Sequence, residues 1–213
     1  MTIADNRETT YSTSRPHGFF HTMLNDVRKS LRGEAHTMTE IREQMNQALH
    51  KQAKLVDVLV QHHNYIKESV AVCLDRDVQD SEKQIHLTRL LKLLEMHSKA
   101  EEQTLYKLLI ASSEKWPRIE GCLAQDEHDL LYQLTDDLRD MHFEALWTED
   151  VEAKCLVLCE LVVNHFKKEE TEIFSLAKEC INSGQLNDTA SDYIDLCENH
   201  LAMSEIRAKG IFL

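Results

Sequence analysis

The chain has 213 residues, 42% hydrophobic and 29% charged, a length and balance that fit one folded domain. Its five Gly and two Pro residues are too few for the tight turns of a sheet protein, so the composition favours an all-helical fold. The net charge of −13 disfavours binding to nucleic acid or to an anionic membrane surface. No stretch approaches the roughly 18 consecutive apolar residues of a membrane span, and residues 1–15 do not resemble a secretory signal, so we expect a cytoplasmic protein.

Apolar residues recur at helical spacing along most of the chain. The polar residues 1–15 predict a disordered tail, which a short helix follows over 16–32. Four long helices are then expected, over about 37–74, 81–111, 118–146 and 148–183, with a further helix over 187–209. The predicted fold is an antiparallel up-and-down four-helix bundle with additional N- and C-terminal helices. We expect one domain over 16–213, with the bundle at about 37–183.

Local signals place the ends of these helices. Ser81 and Thr148 are expected to cap the second and fourth long helices, because each is followed by acidic residues. Pro117 disfavours a helical residue before it and is expected to separate the second helix from the third. Ser183-Gly184 reads as the C-terminal cap of the fourth.

Two of the predicted helices carry the same polar pattern within an apolar stripe. The segments 97–106 and 165–174 both read H-x-x-x-E-E-x-x-(Leu/Ile)-(Tyr/Phe). A His and a Glu four positions apart lie one turn from each other on one helix face, so both can reach a common ion. By chance the pattern should occur only on the order of 0.01 times per chain. Its occurrence twice makes candidate metal ligands of His97, Glu101, His165 and Glu169.

His63 and His128 could complete a metal site from the two other long helices, because each lies on an apolar helix face. His62 competes with His63 for the first of these positions. Four His residues and two bridging Glu residues would give each of two iron ions a mixed nitrogen and oxygen shell with positions left open. A lone His on an apolar face is more often a hydrogen-bonded core residue. The two paired Glu residues argue against that interpretation, because an unpaired buried carboxylate is costly.

These residues resemble the hemerythrin-like (HHE cation-binding) domain family. The matching segments cover about 55–180 and are, in order, LVQHHNYI with His63, HSKAEEQTLY with His97 and Glu101, DEHDLL with His128, and HFKKEETEIF with His165 and Glu169. The resemblance implies a four-helix bundle around a non-haem di-iron centre, bridged by two carboxylates and by an oxo or hydroxo group. The family places an aliphatic residue three positions after the first ligand, and Ile66 then favours His63 over His62. Ferritin-like di-iron proteins use Glu-x-x-His instead, and none of the 12 His residues has an acid three positions before it.

Tyr132 departs from the pattern of the oxygen-carrying hemerythrins. Their third helix supplies two His residues four positions apart, whereas Tyr132 follows His128 at that spacing here. One iron would then lack a His, which favours reactions with oxygen, peroxide or nitric oxide over reversible oxygen carriage. Residues 1–50 contain no Cys, which argues against the iron–sulfur repair members of the family.

The expected function is that of a di-iron protein that binds or senses dioxygen or a related small oxidant such as peroxide or nitric oxide. A di-iron peroxidase or oxidase and an iron-responsive regulatory or interaction module are the alternatives. The expected partner is a small diatomic or peroxide ligand, with no nucleic acid and no membrane. The helices over 16–32 and 187–209 are candidate surfaces for a protein partner or for a homodimer.

The other notable side chains are assigned more modest roles. Tyr106 and Phe174 are assigned to packing, and Glu102 and Glu170 to positions outside the ligand set, since they point about 100° away from it. The six cysteines form no C-x-x-C pair, so reduced thiols are expected. Core packing is the default for Cys155 and Cys159, one turn apart, and redox sensing is the alternative.

Overall fold

The computed structural model describes residues 36–50 and 53–208, and every regular element in these ranges is helical. The helices are α1 Met38–His50, α2 Leu55–Leu74, α3 Asp80–Glu101, α4 Lys107–Ile110, α5 Lys115–Asp140, α6 Glu149–Lys168, α7 Phe174–Cys180 and α8 Ser183–Ala208. Two π-helical turns, Glu102–Tyr106 and Glu169–Ile173, join α3 to α4 and α6 to α7. The predicted all-helical bundle is confirmed. The predicted tail over 1–15 and the predicted helix over 16–32 lie outside the described residues.

The helices pack around one continuous apolar core. Helix α2 lies against α3, α6 and α8, while α5 lies against α4 and α6. Lys83 Nζ and Glu152 Oε1 form a partly buried ion pair of 2.9 Å near the beginnings of α3 and α6. Tyr106 and Glu169 meet beyond the ends of the same two helices. Helices α3 and α6 therefore run in the same direction, and this brings the two H-x-x-x-E segments to the same level.

Two of the predicted helix ends agree with the structure to within a residue or so. The Thr148 hydroxyl accepts a hydrogen bond from the Val151 amide at 3.2 Å and caps α6 as expected. Helix α3 begins at Asp80, one residue before the predicted cap at Ser81.

The break expected before Pro117 is present, because α4 ends at Ile110 and α5 begins at Lys115, whereas the expected cap at Ser183-Gly184 is wrong. Pro117 lies in the first turn of α5, where its missing N–H has no intrahelical partner to lose. Helix α3–α4 had already ended at Ile110. Ser183 begins α8, and α7 ends before it at Cys180.

Two predicted spans are also too long. The expected helix over 37–74 is divided into α1 and α2, with an extended residue at Lys54, so that α1 packs against α8. The expected helix over 118–146 ends at Asp140, and His142 adopts a left-handed backbone with a φ of 52°. A residue in this region cannot continue a right-handed helix.

Helix α5 approaches α4 closely at Gly121. A Cβ atom there would lie 2.9 Å from Ile110 Cγ1 and 3.2 Å from the Ile110 backbone nitrogen. The two helices could not keep this distance with a larger residue at position 121. Over the described ranges, no helix is both long enough and apolar enough to cross a membrane.

Candidate metal centre

The structure brings all six predicted ligand residues together inside the bundle. Their side chains come from α2, α3, α5, α6 and the second π turn. Each is buried, and His165, at 4%, is the most exposed of the six. Such a concentration of polar side chains in an apolar core is costly unless their polar atoms find partners.

The first group of donor atoms contains His63, His97, Glu101 and Glu169, which lie within 4.8 Å of one another. The distance from His63 Nε2 to Glu169 Oε2 is 3.2 Å, and His97 Nε2 lies 3.2 Å from Glu101 Oε2. Two imidazoles and two carboxylates at this separation match the nitrogen and oxygen donors that transition metals prefer.

The second group contains Glu101, His128 and His165, again within 4.8 Å. His128 Nε2 lies 3.0 Å from His165 Nε2, and His165 Nε2 lies 3.5 Å from Glu169 Oε2. Glu101 is common to both groups and Glu169 lies close to both. The arrangement could hold two ions side by side with these two carboxylates between them.

The outer nitrogen of each of the four imidazoles has its own hydrogen-bond partner. His63 Nδ1 lies 2.7 Å from Glu170 Oε1, and His165 Nδ1 lies 2.7 Å from Glu127 Oε2. His128 Nδ1 is 3.3 Å from Glu102 Oε1, and His97 Nδ1 is 2.7 Å from the Tyr193 hydroxyl. A metal-ligating His typically donates its other N–H in this way, which fixes the ring and directs the free nitrogen to the ion.

Several inward-facing atoms have no hydrogen-bond partner among the described residues. They are His63 Nε2, His97 Nε2, both carboxylate oxygens of Glu101 and Glu169 Oε2. Buried polar atoms are nearly always satisfied in folded proteins. A cation between them would satisfy all five at once, so the donor set fits a metal centre.

The two inner carboxylates differ in their affinity for a proton. Burial, together with the charge of Glu169, raises the pKa of Glu101 to about 8. Burial acts in the same direction on Glu169, but the charge of His165 and the contact with His63 outweigh it and lower the pKa of Glu169. In the protein without a metal, one proton therefore remains on this carboxylate pair near neutral pH.

Tyr106 has a different position from the one assigned to it. Its hydroxyl donates to Glu169 Oε1 and lies 3.3 Å from His128 Nε2 and 3.4 Å from His165 Nε2. The reason is the first π turn, since an i→i+5 turn brings the residue five positions after Glu101 back towards the same face. In an α-helix Tyr106 would point about 140° away.

The equivalent residue after the second H-x-x-x-E segment, Phe174, does pack as predicted. Its ring stacks on His63 with centroids 5.6 Å apart. Phe166 stacks on the same imidazole at 3.9 Å. Both aromatic rings hold His63 in place and exclude water from that side of the centre.

Tyr132 lies outside the donor groups. Its hydroxyl donates to Glu102 Oε1 at 2.7 Å, and Lys99 Nζ lies 3.9 Å from the centre of its ring. Glu102 in turn contacts His128 Nδ1. Tyr132 thus supports the carboxylate that orients His128, and the hydroxyl at the centre belongs to Tyr106.

His62 and His63 face different partners. His62 Nδ1 lies 2.8 Å from the Tyr193 hydroxyl, whereas His63 Nε2 faces the carboxylates. Sequence reasoning missed Tyr193, which α8 carries into the core, and it missed Glu127, which holds His165. Tyr193 lies 96 positions from His97, and Glu127, although it directly precedes His128, contacts His165 at a distance of 38 positions along the chain. Tertiary packing makes both contacts.

The fold and the buried donor groups define a helical-bundle protein with a candidate cation site. A family model for the hemerythrin HHE cation-binding domain matches residues 54–177, more than half of the chain, so the chain belongs to this family. The chain has no significant match among curated proteins or among solved structures.

Proposed function

We propose that this protein is a hemerythrin-like di-iron protein that binds or senses dioxygen or a related small oxidant. His63, His97, Glu101 and Glu169 would hold one iron ion, and His128 and His165 would hold the other with the same two carboxylates. When bound, the iron pair supplies redox chemistry and open coordination positions for a small ligand. The observation that carries the proposal is the set of unpaired inward atoms, backed by an oriented Nδ1 on all four imidazoles.

A surface pocket beside one of the proposed ligands supports this proposal. A surface pocket of about 270 Å³ reaches His165, and its walls include Leu130, Leu131 and Leu161. The pocket is small and largely apolar, which suits a diatomic molecule or peroxide better than a large polar substrate. Of the six proposed ligands, His165 is 4% exposed and the other five are fully buried.

Iron analysis with optical spectroscopy tests the proposal directly. We expect about two iron ions per chain after loading, and charge-transfer absorption of a bridged ferric pair after exposure to air. Fewer than about one iron per chain, with no such absorption, would disprove it.

Neighbouring histidines provide a matched pair of variants. His63→Ala should reduce the iron content, because it removes a donor that faces the carboxylates. His62→Ala should leave most of the iron bound, because His62 faces the Tyr193 hydroxyl and not the carboxylates. Equal losses in the two variants would show that position 63 has no special role as a ligand.

Reduction of peroxide is the second candidate function, and the Tyr106 hydroxyl favours it. Reduction of one peroxide to two waters consumes two electrons from an external reductant and two protons. Burial raises the pKa of Tyr106 well above its usual range, so its hydroxyl keeps a proton beside His128 and His165. Turnover of peroxide with a small-molecule reductant, lowered in Tyr106→Phe and retained in Tyr132→Phe, would support an enzyme. Binding without turnover would favour the sensor.

A further inference from the structure

Three buried cysteines meet at a second place in the bundle. Cys73 lies near the end of α2, while Cys155 and Cys159 lie one turn apart on α6. Their sulfur atoms lie within 4.8 Å of one another, and no more than 1% of any of the three residues is exposed. All three are free thiols.

This cluster is separate from the His and Glu groups. Cys73 follows His63 by ten residues on α2, and Cys155 precedes His165 by ten residues on α6. Ten residues of helix span about 15 Å. The cysteines therefore share two helices with the candidate iron centre but lie about three turns away from it, and the proposed function does not use them.

The surroundings favour a thiolate on one of the three sulfur atoms, that of Cys155. Hydrogen bonds from Cys159 and Cys73 lower the pKa of Cys155 well below its usual range, and the charge of Lys83 acts in the same direction. The hydrogen bonds to Cys155 raise the pKa values of Cys73 and Cys159, so a cation would have to displace the protons of these two thiols. Lys83 is itself buried, and its ammonium pairs with Glu152 Oε1. Apolar packing alone requires neither three converging sulfur atoms nor a buried lysine beside them, because a small aliphatic residue fills such a position as well.

We propose that Cys73, Cys155 and Cys159 form a second metal site, which binds one Cu⁺ ion through three thiolates. Thiolate donors select soft cations such as Cu⁺. Structural Zn²⁺ sites almost always have four protein ligands, and no fourth His, Cys, Asp or Glu belongs to this group among the described residues. The single charge of Cu⁺ and the Lys83 ammonium together offset part of the charge of the thiolates.

Anaerobic titration of the reduced full chain, with its iron content measured beforehand, tests this proposal. Cu⁺ would be added in competition with a chromophoric Cu⁺ chelator. We expect one chelator-resistant Cu⁺ per chain, with no loss of iron. X-ray absorption at the copper edge should then show three sulfur neighbours and no nitrogen, a result that requires no variant and no assumption about folding.

Cysteine variants locate the site. Cys155→Ser and Cys159→Ala should each weaken Cu⁺ binding by at least about 100-fold, since losing even a supporting partner of a ligand costs about 10- to 100-fold. Cys197→Ser is the matched control, because Cys197 is equally buried but lies on α8 outside the cluster. The affinity of the Cys197→Ser variant for Cu⁺ should equal that of the unchanged protein.

Several results would overturn the proposal. They are the absence of chelator-resistant Cu⁺, nitrogen or oxygen neighbours at the copper edge, or equal affinity in Cys155→Ser and Cys197→Ser. A disulfide between Cys73 and Cys155 under mild oxidation, without any binding of Cu⁺, would assign the cluster to thiol redox chemistry instead. Failure of iron to bind would leave these outcomes unaffected, so the two metal sites are tested independently.

Discussion

Glu101 lies between the two groups of histidines and belongs to both. Neither of its carboxylate oxygens has a hydrogen-bond partner among the described residues. Burial and the charge of Glu169 raise the pKa of Glu101 to about 8, so this acid keeps its proton near neutral pH until a cation replaces it.

Metal binding should therefore release the proton of Glu101 at pH 7. The neighbouring carboxylates raise the pKa values of His63 and His165 against the effect of burial, so these rings should add to the release. Because the bound form needs the deprotonated ligands, affinity for the metal should fall as the pH drops below about 8, by up to roughly tenfold per pH unit for each proton released. Calorimetric titration in buffers of different ionisation enthalpy measures the number of protons released. Glu102→Gln should leave that number unchanged, because Glu102 has a lowered pKa and is already ionised; its hydrogen bonds from His128 and Tyr132 overcome the effect of burial. An affinity that does not change between pH 6 and 9 would contradict this assignment.

Tyr193 connects two histidines through one hydroxyl. His97 Nδ1–H can donate to the phenol oxygen, and the hydroxyl can donate to His62 Nδ1. Burial lowers the pKa of His62 well below its usual range, so this ring is neutral and can accept the bond.

Tyr193→Phe should weaken metal binding by about 10- to 100-fold, because it leaves the orientation of His97 without support. Tyr65→Phe is the control: Tyr65 is also buried, but its hydroxyl contacts Gln44 and Gln61, away from the centre. A metal competition assay compares the two. Equal affinities in both variants would mean that Tyr193 only fills space.

At the scale of the elements, the two π turns decide which residues face the centre. Each lies at or directly after an inner Glu, at Glu102–Tyr106 and Glu169–Ile173. π turns are rare and occur frequently at functional sites. Here the first directs Tyr106 to the centre, and the second directs Phe174 onto the ring of His63.

Close packing of α5 on α4 makes Gly121 a sensitive position. Gly121→Ala should destabilise the protein by about 1 to 2 kcal/mol, since overpacking costs about 1 to 3 kcal/mol and the better helix propensity of Ala recovers only part of it. Chemical denaturation measures the change in the free energy of unfolding. Gly184→Ala is the control, because a Cβ there would approach only the movable side chain of Asn182. A Gly121→Ala variant that is more stable than the unchanged protein would show that the helices can separate at little cost.

For the whole molecule, the metal centre and the fold depend on each other. Four of the packed helices and one π turn supply ligands to a single point, so the unfolded chain has no comparable site. Any ion that binds the folded form alone stabilises it by mass action.

Iron at about 1,000 times its dissociation constant should add about 4 kcal/mol to the free energy of unfolding. Thermal and urea unfolding with iron and with a chelator measure this difference. The gain should be much smaller in His63→Ala, which lacks one donor. Identical unfolding curves with and without iron would show that the bundle does not bind the ion selectively in its folded state.

The helical architecture and the candidate ligands could be predicted from the sequence because both depend on local spacing. An apolar stripe of period 3.6 predicts a helix wherever it occurs. The repeated His and Glu at i and i+4 predict a shared face, and the structure does bring these residues together with His63 and His128. Helix ends were harder, as Ser183 shows, because the same residue can begin one helix or end another.

The tertiary structure alone decided the contacts that connect distant parts of the chain. Tyr193 meets His97 across 96 positions, and Cys73 meets Cys155 and Cys159 only where α2 packs on α6. The π turn that redirects Tyr106 shifts the backbone register, and no residue type in the segment predicts that shift. Local chemistry thus determined which helices form and which side chains could bind a metal. Packing between helices determined which partners orient those side chains, since such contacts depend on the relative placement of whole elements.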